Sequence, residues 1–366
     1  MTQLRFMIHT AMTSSSPELL ENVYSELGME VPVCQIDHEL RKLWEQDDAR
    51  ANASLINLVV YSEKPNALLE NSRIIQNLTR EHACRAILVA IDRDEPSPSL
   101  RAWITAHCHL AAGHKSVCCE QISFHLTGKV TGRFRNTVFS HLNSDLPLIF
   151  WWQGELSEIL TERLVSVIDR LIVDSSTWQD PLASLKKIQE TAQANPDLIL
   201  QDLAWTRSLQ FRLAIANLFD DPAAQELLPR IERIQMQANR LHRQTALQLL
   251  AWLAVQAGWK IHRTFDEITL EKSSGNEIAV DFEELESGPA MQSLILHAQD
   301  ASVRICQPAG SIYISKEITS GSHHASSLAP IGPEGSADLV ALQLARGGKN
   351  SLYQKILPGY QLLIGY

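Results

Sequence analysis

With 366 residues, 45% of them hydrophobic and 20% charged, the chain has a globular composition, and its length favours two domains over a single core. Its net charge of −10 argues against nucleic acid or anionic membrane as general partners, because it would repel both. There is no apolar run of the roughly 18 residues that a membrane span needs, and no signal-peptide pattern opens the sequence, so a cytoplasmic protein is expected. Six cysteines, Cys34, Cys84, Cys108, Cys118, Cys119 and Cys306, suggest free and mostly buried thiols in a reducing cytosol rather than a disulfide framework.

Ser16 and Pro17 could cap a first helix through Leu19, Val23 and Leu27. Residues 28–50 read as an irregular lead-in. Residues 54–62 and 84–92 are near-continuous apolar runs, expected as buried strands, with a helix over about 65–80 between them. Residues 100–110 and 116–128 alternate and suit two antiparallel strands. A helix over about 132–142 leads to SDLPLIFWWQGEL, residues 144–156. Its apolar run reads as a buried strand, with Pro147 confined to the strand's start because it lacks an N–H. Trp151 and Trp152 are successive and so point to opposite faces, and Gly154 turns the chain toward a helix through Ile159, Leu164 and Ile168.

Residues 170–176 form the next strand, ending in Asp174, and Asp180 with Pro181 starts another helix. Residues 201–220 read as one amphipathic helix, 230–237 as a strand returning to the first sheet, and 245–259 as the most hydrophobic helix, stopped at Gly258. From residue 260 the period becomes two. A hairpin over SSGN and the strands MQSLILHAQ, SVRICQ and SIYISKEI give an antiparallel meander of about five strands. Residues 318–336 read as a long polar loop with solvated His323 and His324, and two helices close the chain. The expected fold is mixed α/β: an α/β layered sheet domain over 1–259, then an α+β domain over 260–366 with an antiparallel sheet and closing helices.

Candidate chemistry is sparse. His107, Cys108, His109, His114, Cys118 and Cys119 lie close in sequence. On a strand, however, His107 and His109 share one face while Cys108 takes the other, which is poor for tetrahedral zinc. Cys118 and Cys119 form a candidate redox pair, although adjacent cysteines bridge only with strain and small apolar core residues are the plainer reading. Asp174 stands where an α/β enzyme places an acid or base, and a rival enzyme reading pairs it with Arg133, Arg135 or Arg163 as a sugar-phosphate site. No phosphate-binding glycine loop and no nucleophile elbow are present. No catalytic group, metal or cofactor is therefore expected.

Several segments occur together in a familiar order: SLINLVVY, VCCEQI, SDLPLIFWWQGEL, RLIVDSS, DLAWTRSLQFRLAIANLFDDP, AWLAVQAGW and LVALQLARGGKNSLYQKIL. The set resembles OpcA, the glucose-6-phosphate dehydrogenase assembly protein family, over most of residues 54–365. The resemblance implies a non-catalytic assembly factor and activator of that dehydrogenase in the oxidative pentose phosphate pathway. It also implies an interaction surface that includes Trp151, Trp152, Gly154, Glu155, Trp205 and Arg207. Tryptophan and arginine are the residue types that dominate interface energetics. Photosynthetic members are linked to thioredoxin, which makes it a further partner through Cys118 and Cys119, but the final sixty residues hold no cysteine. Rival readings remain the sugar-phosphate enzyme, a metal or thiol sensor over His107–Cys119, and an activator that itself binds a sugar phosphate.

Overall fold

The computed structural model describes residues 24–45, 50–52, 54–64, 66–111, 115–128, 133–265, 267–348 and 351–365. The helix expected through Leu19 lies largely outside them. The fold is mixed α/β, and the chain divides into two compact units, Met1–Ile149 and Phe150–Tyr366. The boundary read at 259/260 from the change of period falls inside the second unit.

In the first unit the strands are β1 (Met29–Glu30), β2 (Arg50–Asn52), β3 (Ile56–Ser62), β4 (Cys84–Asp92), β5 (Leu100–Ala111) and β6 (Lys115–Thr127). Their order is β1-β5-β6-β4-β3, with β2 beside β6. β3 runs parallel to β4 and β4 to β6, whereas β5 and β6 form the expected antiparallel hairpin. The apolar runs of β3 and β4 are buried almost throughout, as in strands covered on both faces.

Helix α1 (Ile36–Glu45) occupies part of the supposed lead-in. Only Ile36 and Leu40 in it are buried, a one-turn apolar repeat too short to stand out among charges. Helix α2 (Ala67–Leu78) lies where its periodicity put it. Asn57, buried in β3, donates to the carbonyls of Asn143 and Leu146 at 2.8 and 3.0 Å and accepts from Asn143 N–H at 2.9 Å. That one amide side chain anchors the turn after α3 (Phe134–Phe139) and so sets where the next strand, β7 (Leu148–Gln153), begins.

The second unit contains α4 (Glu162–Val165), the parallel pair β8 (Arg170–Val173) and β9 (Ile199–Asp202), and α5 (Pro181–Ala194) between them. The helix expected over 201–220 is in fact the end of β9 followed by two helices, α6 (Leu203–Arg207) and α7 (Leu209–Leu218). Asp202 causes the break: its extended backbone ends the strand while its carboxylate caps α6 at Ala204 N–H. After α8 (Pro222–Leu227) come β10 (Arg233–Asn239) and α9 (Arg243–Ala257). Every α9 residue from Thr245 to Ala254 is buried, as expected of a helix that is hydrophobic all round.

The remaining strands are β11 (Lys260–Arg263), β12 (Ile268–Glu271), β13 (Glu277–Leu285), β14 (Met291–Ala298), β15 (Ala301–Cys306), β16 (Tyr313–Ser320) and β17 (His323–Pro330). With β10 they form an eight-stranded sheet in the order β11-β12-β13-β10-β14-β15-β16-β17. β10 therefore joins the second sheet, parallel to β13 and antiparallel to β14. β17 replaces the expected polar loop, and α10 (Ser336–Leu344) and α11 (Ser351–Ile364) follow it.

Gly258 ends α9 with φ +70°, and a Cβ there would meet nothing within 4 Å. Gly28 has φ +99°, and a Cβ there would collide with the Ile104 carbonyl. Gly258→Ala should therefore cost about 1–2 kcal/mol through backbone conformation alone. Gly28→Ala should cost distinctly more, and urea unfolding of both variants measures the difference.

Candidate functional site

Three of the distinctive segments, RLIVDSS, DLAWTR and the closing helix, meet in one buried polar cluster of the second unit. Asp174 follows β8 and Asp202 ends β9, the carboxyl ends of two parallel strands. Arg207 reaches Asp174 at 2.8 Å through Nη2 and at 3.4 Å through Nη1, and the two side chains are 2% and 10% exposed. Ser176 N–H donates to the same carboxylate at 3.1 Å. The guanidinium also donates to Thr245 Oγ1 and to the Glu334 carbonyl. The cation on Asp174 is thus Arg207, from the next motif, rather than Arg133, Arg135 or Arg163, which the rival sugar-phosphate reading places with it.

Asp202 is fully buried and accepts from four donors. Ser175 N–H lies at 3.1 Å and Ala204 N–H at 2.9 Å, with Gln248 Nε2 at 2.7 Å and Tyr353 O–H at 3.0 Å. Burial, and then the charge of Asp174, push the Asp202 carboxyl above its ordinary range while its hydrogen bonds pull it back. Burial and Asp202 likewise hold the Tyr353 hydroxyl protonated well above the usual tyrosine range. The cluster is a closed network of charge-assisted hydrogen bonds. Both carboxylates are committed to internal partners.

The tryptophans are buried as well: Trp151 and Trp205 are 2% exposed and Trp152 is 0% exposed. Their indoles offer no surface of their own to a partner. Arg212 stacks its guanidinium 3.5 Å above the Trp205 ring and donates to the Trp205 carbonyl at 3.0 Å. Trp152 Nε1 donates to the Glu155 carbonyl at 2.8 Å. The chain turns at Gly154, φ +84°, and the half-buried Glu155 carboxylate then accepts from Gln179 and Asp180 N–H and from Ser184 Oγ. The WWQGE segment thus docks the start of α5, whose own cap is Asp180.

In the first unit the thiols are arranged differently from the expected vicinal pair. Cys108 on β5 and Cys118 on β6 are cross-strand neighbours joined by a disulfide. Cys108 is exposed, Cys118 is buried, and Cys119 is a buried thiol outside the disulfide, raised in pKa chiefly by that burial. The expectation of free thiols throughout is therefore corrected for this pair. Cys118 and Cys119 are successive on one strand and point to opposite faces, so each finds a different neighbour. Hairpin register was the available signal: the register that pairs Ala111 with Lys115 puts Cys108 opposite Cys118.

His107 and His109 do share the other face of β5. His107 Nε2 lies 2.9 Å from Gln121 Oε1, and His109 Nε2 lies 3.0 Å from Thr79 Oγ1. Burial lowers the His107 pKa. Beside the thiols, Glu120 accepts from Trp44 Nε1 at 2.7 Å and pairs with Arg85 at 2.9 Å. Among the described residues, no group of three or more His, Cys, Asp or Glu is placed to hold a metal ion, and no helix is long and apolar enough to cross a membrane.

Two family models match the chain in order. One, described as the glucose-6-phosphate dehydrogenase subunit N-terminal domain, covers residues 75–190. The other, the corresponding C-terminal domain, covers residues 199–357. Candidate OxPP cycle proteins named OpcA are similar: that of Synechocystis sp. is 27% identical over 52% of this chain and 40% of its own length. That of Nostoc punctiforme is 26% identical over 56% and 43%. The matched region thus spans less than half of those relatives. Among solved structures, a 3-ketoreductase of Actinomadura kijaniata aligns with TM-score 0.47 and 10% identity, covering 85% of this chain and 96% of that one. An NAD-binding oxidoreductase of Klebsiella pneumoniae aligns with TM-score 0.46 and 8% identity, covering 86% and 96%.

Arg207→Met should destabilise the protein by about 3–5 kcal/mol, because it leaves Asp174 buried without its counter-ion. Combining it with Asp174→Asn should restore part of that loss, as measured by chemical denaturation of the single and double variants. For the thiols, alkylation should label Cys34, which is exposed, before reduction and Cys108 only after it. Reduction should also lower stability by about 2–3 kcal/mol, the usual contribution of closing so short a loop.

Proposed function

The chain belongs to the OpcA family of glucose-6-phosphate dehydrogenase subunits, and from that premise we propose that it is a non-catalytic assembly factor and activator of glucose-6-phosphate dehydrogenase. It would act by protein–protein binding in the oxidative pentose phosphate pathway. The observation that carries this reading is the ordered match to both subunit domains over residues 75–190 and 199–357. The state of the strand-end carboxylates supports it. Asp174 is neutralised by Arg207, and Asp202 is saturated by four donors. Neither is presented as a free acid or base.

In this reading Trp151, Trp152, Trp205 and Arg207 shape the docking surface from beneath, and the loop at Gly154 and Glu155 lies nearer the partner. An activator must bind the dehydrogenase's more active state more tightly than its less active one, and each tenfold preference is worth about 1.4 kcal/mol of coupling. A second reading, thiol control by a dithiol protein such as thioredoxin, is favoured by the disulfide with one exposed end at Cys108.

Glucose-6-phosphate titration of the same organism's dehydrogenase, with and without this protein, tests the activator reading. The expected result is a lower half-saturating concentration or a higher plateau, together with co-elution of the two proteins. Unchanged kinetics without co-elution would overturn it. The same titration with oxidised and with reduced protein tests thiol control, which requires the two curves to differ.

A further inference from the structure

Strand β17 forms one border of the eight-stranded sheet. Ile331 N–H donates to the Ile312 carbonyl at 3.4 Å, and Tyr313 pairs with Pro330. The antiparallel alternation then turns the backbones of Ala329, Ser327 and Ala325 toward β16, and those of Leu328, Ser326 and His324 away from the sheet. His324, Ser326 and Leu328 are all exposed. Next to them lies an apolar corner: Leu328 is 66% exposed, Ile312 65% and Tyr313 48%.

Soluble proteins protect a free edge with charged side chains, bulges or an interrupting proline, because the unpaired N–H and C=O groups otherwise template another strand. β17 carries no Lys, Arg, Asp or Glu from His323 to Pro330, pairs with β16 without a register shift, and has proline only as its last residue. An edge with exposed apolar groups and no charged side chain of its own beyond its histidines is built to be covered.

We propose that β17 pairs with β17 of a second copy of this chain, antiparallel about a two-fold axis, so that the two eight-stranded sheets become one. The charge distribution selects this occupant. Each chain carries a net charge of −10, so most surface pairings of two copies oppose acidic groups, whereas β17 itself bears no acidic side chain and Asp221, which lies beside its first residue, is held by His323 at 3.2 Å. An axis through Ser326 sets Leu328 opposite the partner's His324 and His324 opposite the partner's Leu328. Such an interface is isologous and closed, and a closed dimer leaves no β17 edge free for further growth.

Sedimentation velocity of the full chain over a range of concentrations tests the pairing. The wild type should sediment as a dimer. Ser326→Lys sets two lysines against each other on the axis and should weaken the dimer by at least roughly tenfold, with an unchanged far-ultraviolet spectrum. Leu328→Lys should do the same. Ser322→Lys, just before the strand, should leave the dimer intact and serves as the control. A monomeric wild type, or a Ser326→Lys variant that dimerises as tightly, would overturn the proposal. So would a monomeric wild type whose binding to the dehydrogenase is lost in Ser326→Lys, since the edge would then receive a strand of the dehydrogenase.

Discussion

Asp202 is the residue on which the second unit depends. A fully buried carboxylate is tolerable only when donors surround it, because desolvation otherwise costs several kcal/mol. Here the donors come from the β8–α5 connection, the start of α6, the middle of α9 and the closing helix α11. Four separate stretches of chain must be in place before any one of the hydrogen bonds is useful. The Asp174–Arg207 pair works in the same way, tying the end of β8 to the end of α6 and, through the other guanidinium nitrogens, to α9 and the approach to α10. Such a network is strongly cooperative, since removing one member leaves the rest desolvated and unpaired.

In the distinctive segments the strand-end carboxylates are hydrogen-bonded within the fold. Acidic residues at the carboxyl ends of parallel strands occupy the position where α/β proteins usually do chemistry. What separates a reactive carboxylate from a structural one is whether it keeps an unfilled acceptor site facing an opening. Asp174 gives both oxygens to Arg207 and one of them also to Ser176 N–H. WWQGE follows the same logic: its glutamate looks like a surface acid, but its carboxylate holds the first turn of α5.

Where burial is one-sided or complete, the fold is legible in the sequence. β3, β4, the β5–β6 hairpin, α2 and α9 stand out because continuous or periodic apolar residues report directly on which faces leave water. The long helix expected over 201–220 does not form because Asp202 ends β9 and caps α6 through its side chain, a local interaction that apolar periodicity does not register. β10 reads correctly as a strand but belongs to the other sheet, since its pattern records a buried face and not which neighbour lies beside it. Within the site, Asp174 and Arg207 each stand out in the sequence, yet not as partners. They lie on different elements, and nothing in their spacing couples them.

β17 shows the same limit most clearly. HHASSLAP has neither alternation nor β-branched residues, so composition alone makes it a loop. Its strand geometry is imposed by β16, which pairs with it along its whole length. A segment held as a strand by backbone pairing on one side, and not by its side chains, offers the same backbone groups on the other. The property that hides β17 in the sequence, a border with little burial and no Lys, Arg, Asp or Glu of its own, is therefore also what leaves it open to a further strand.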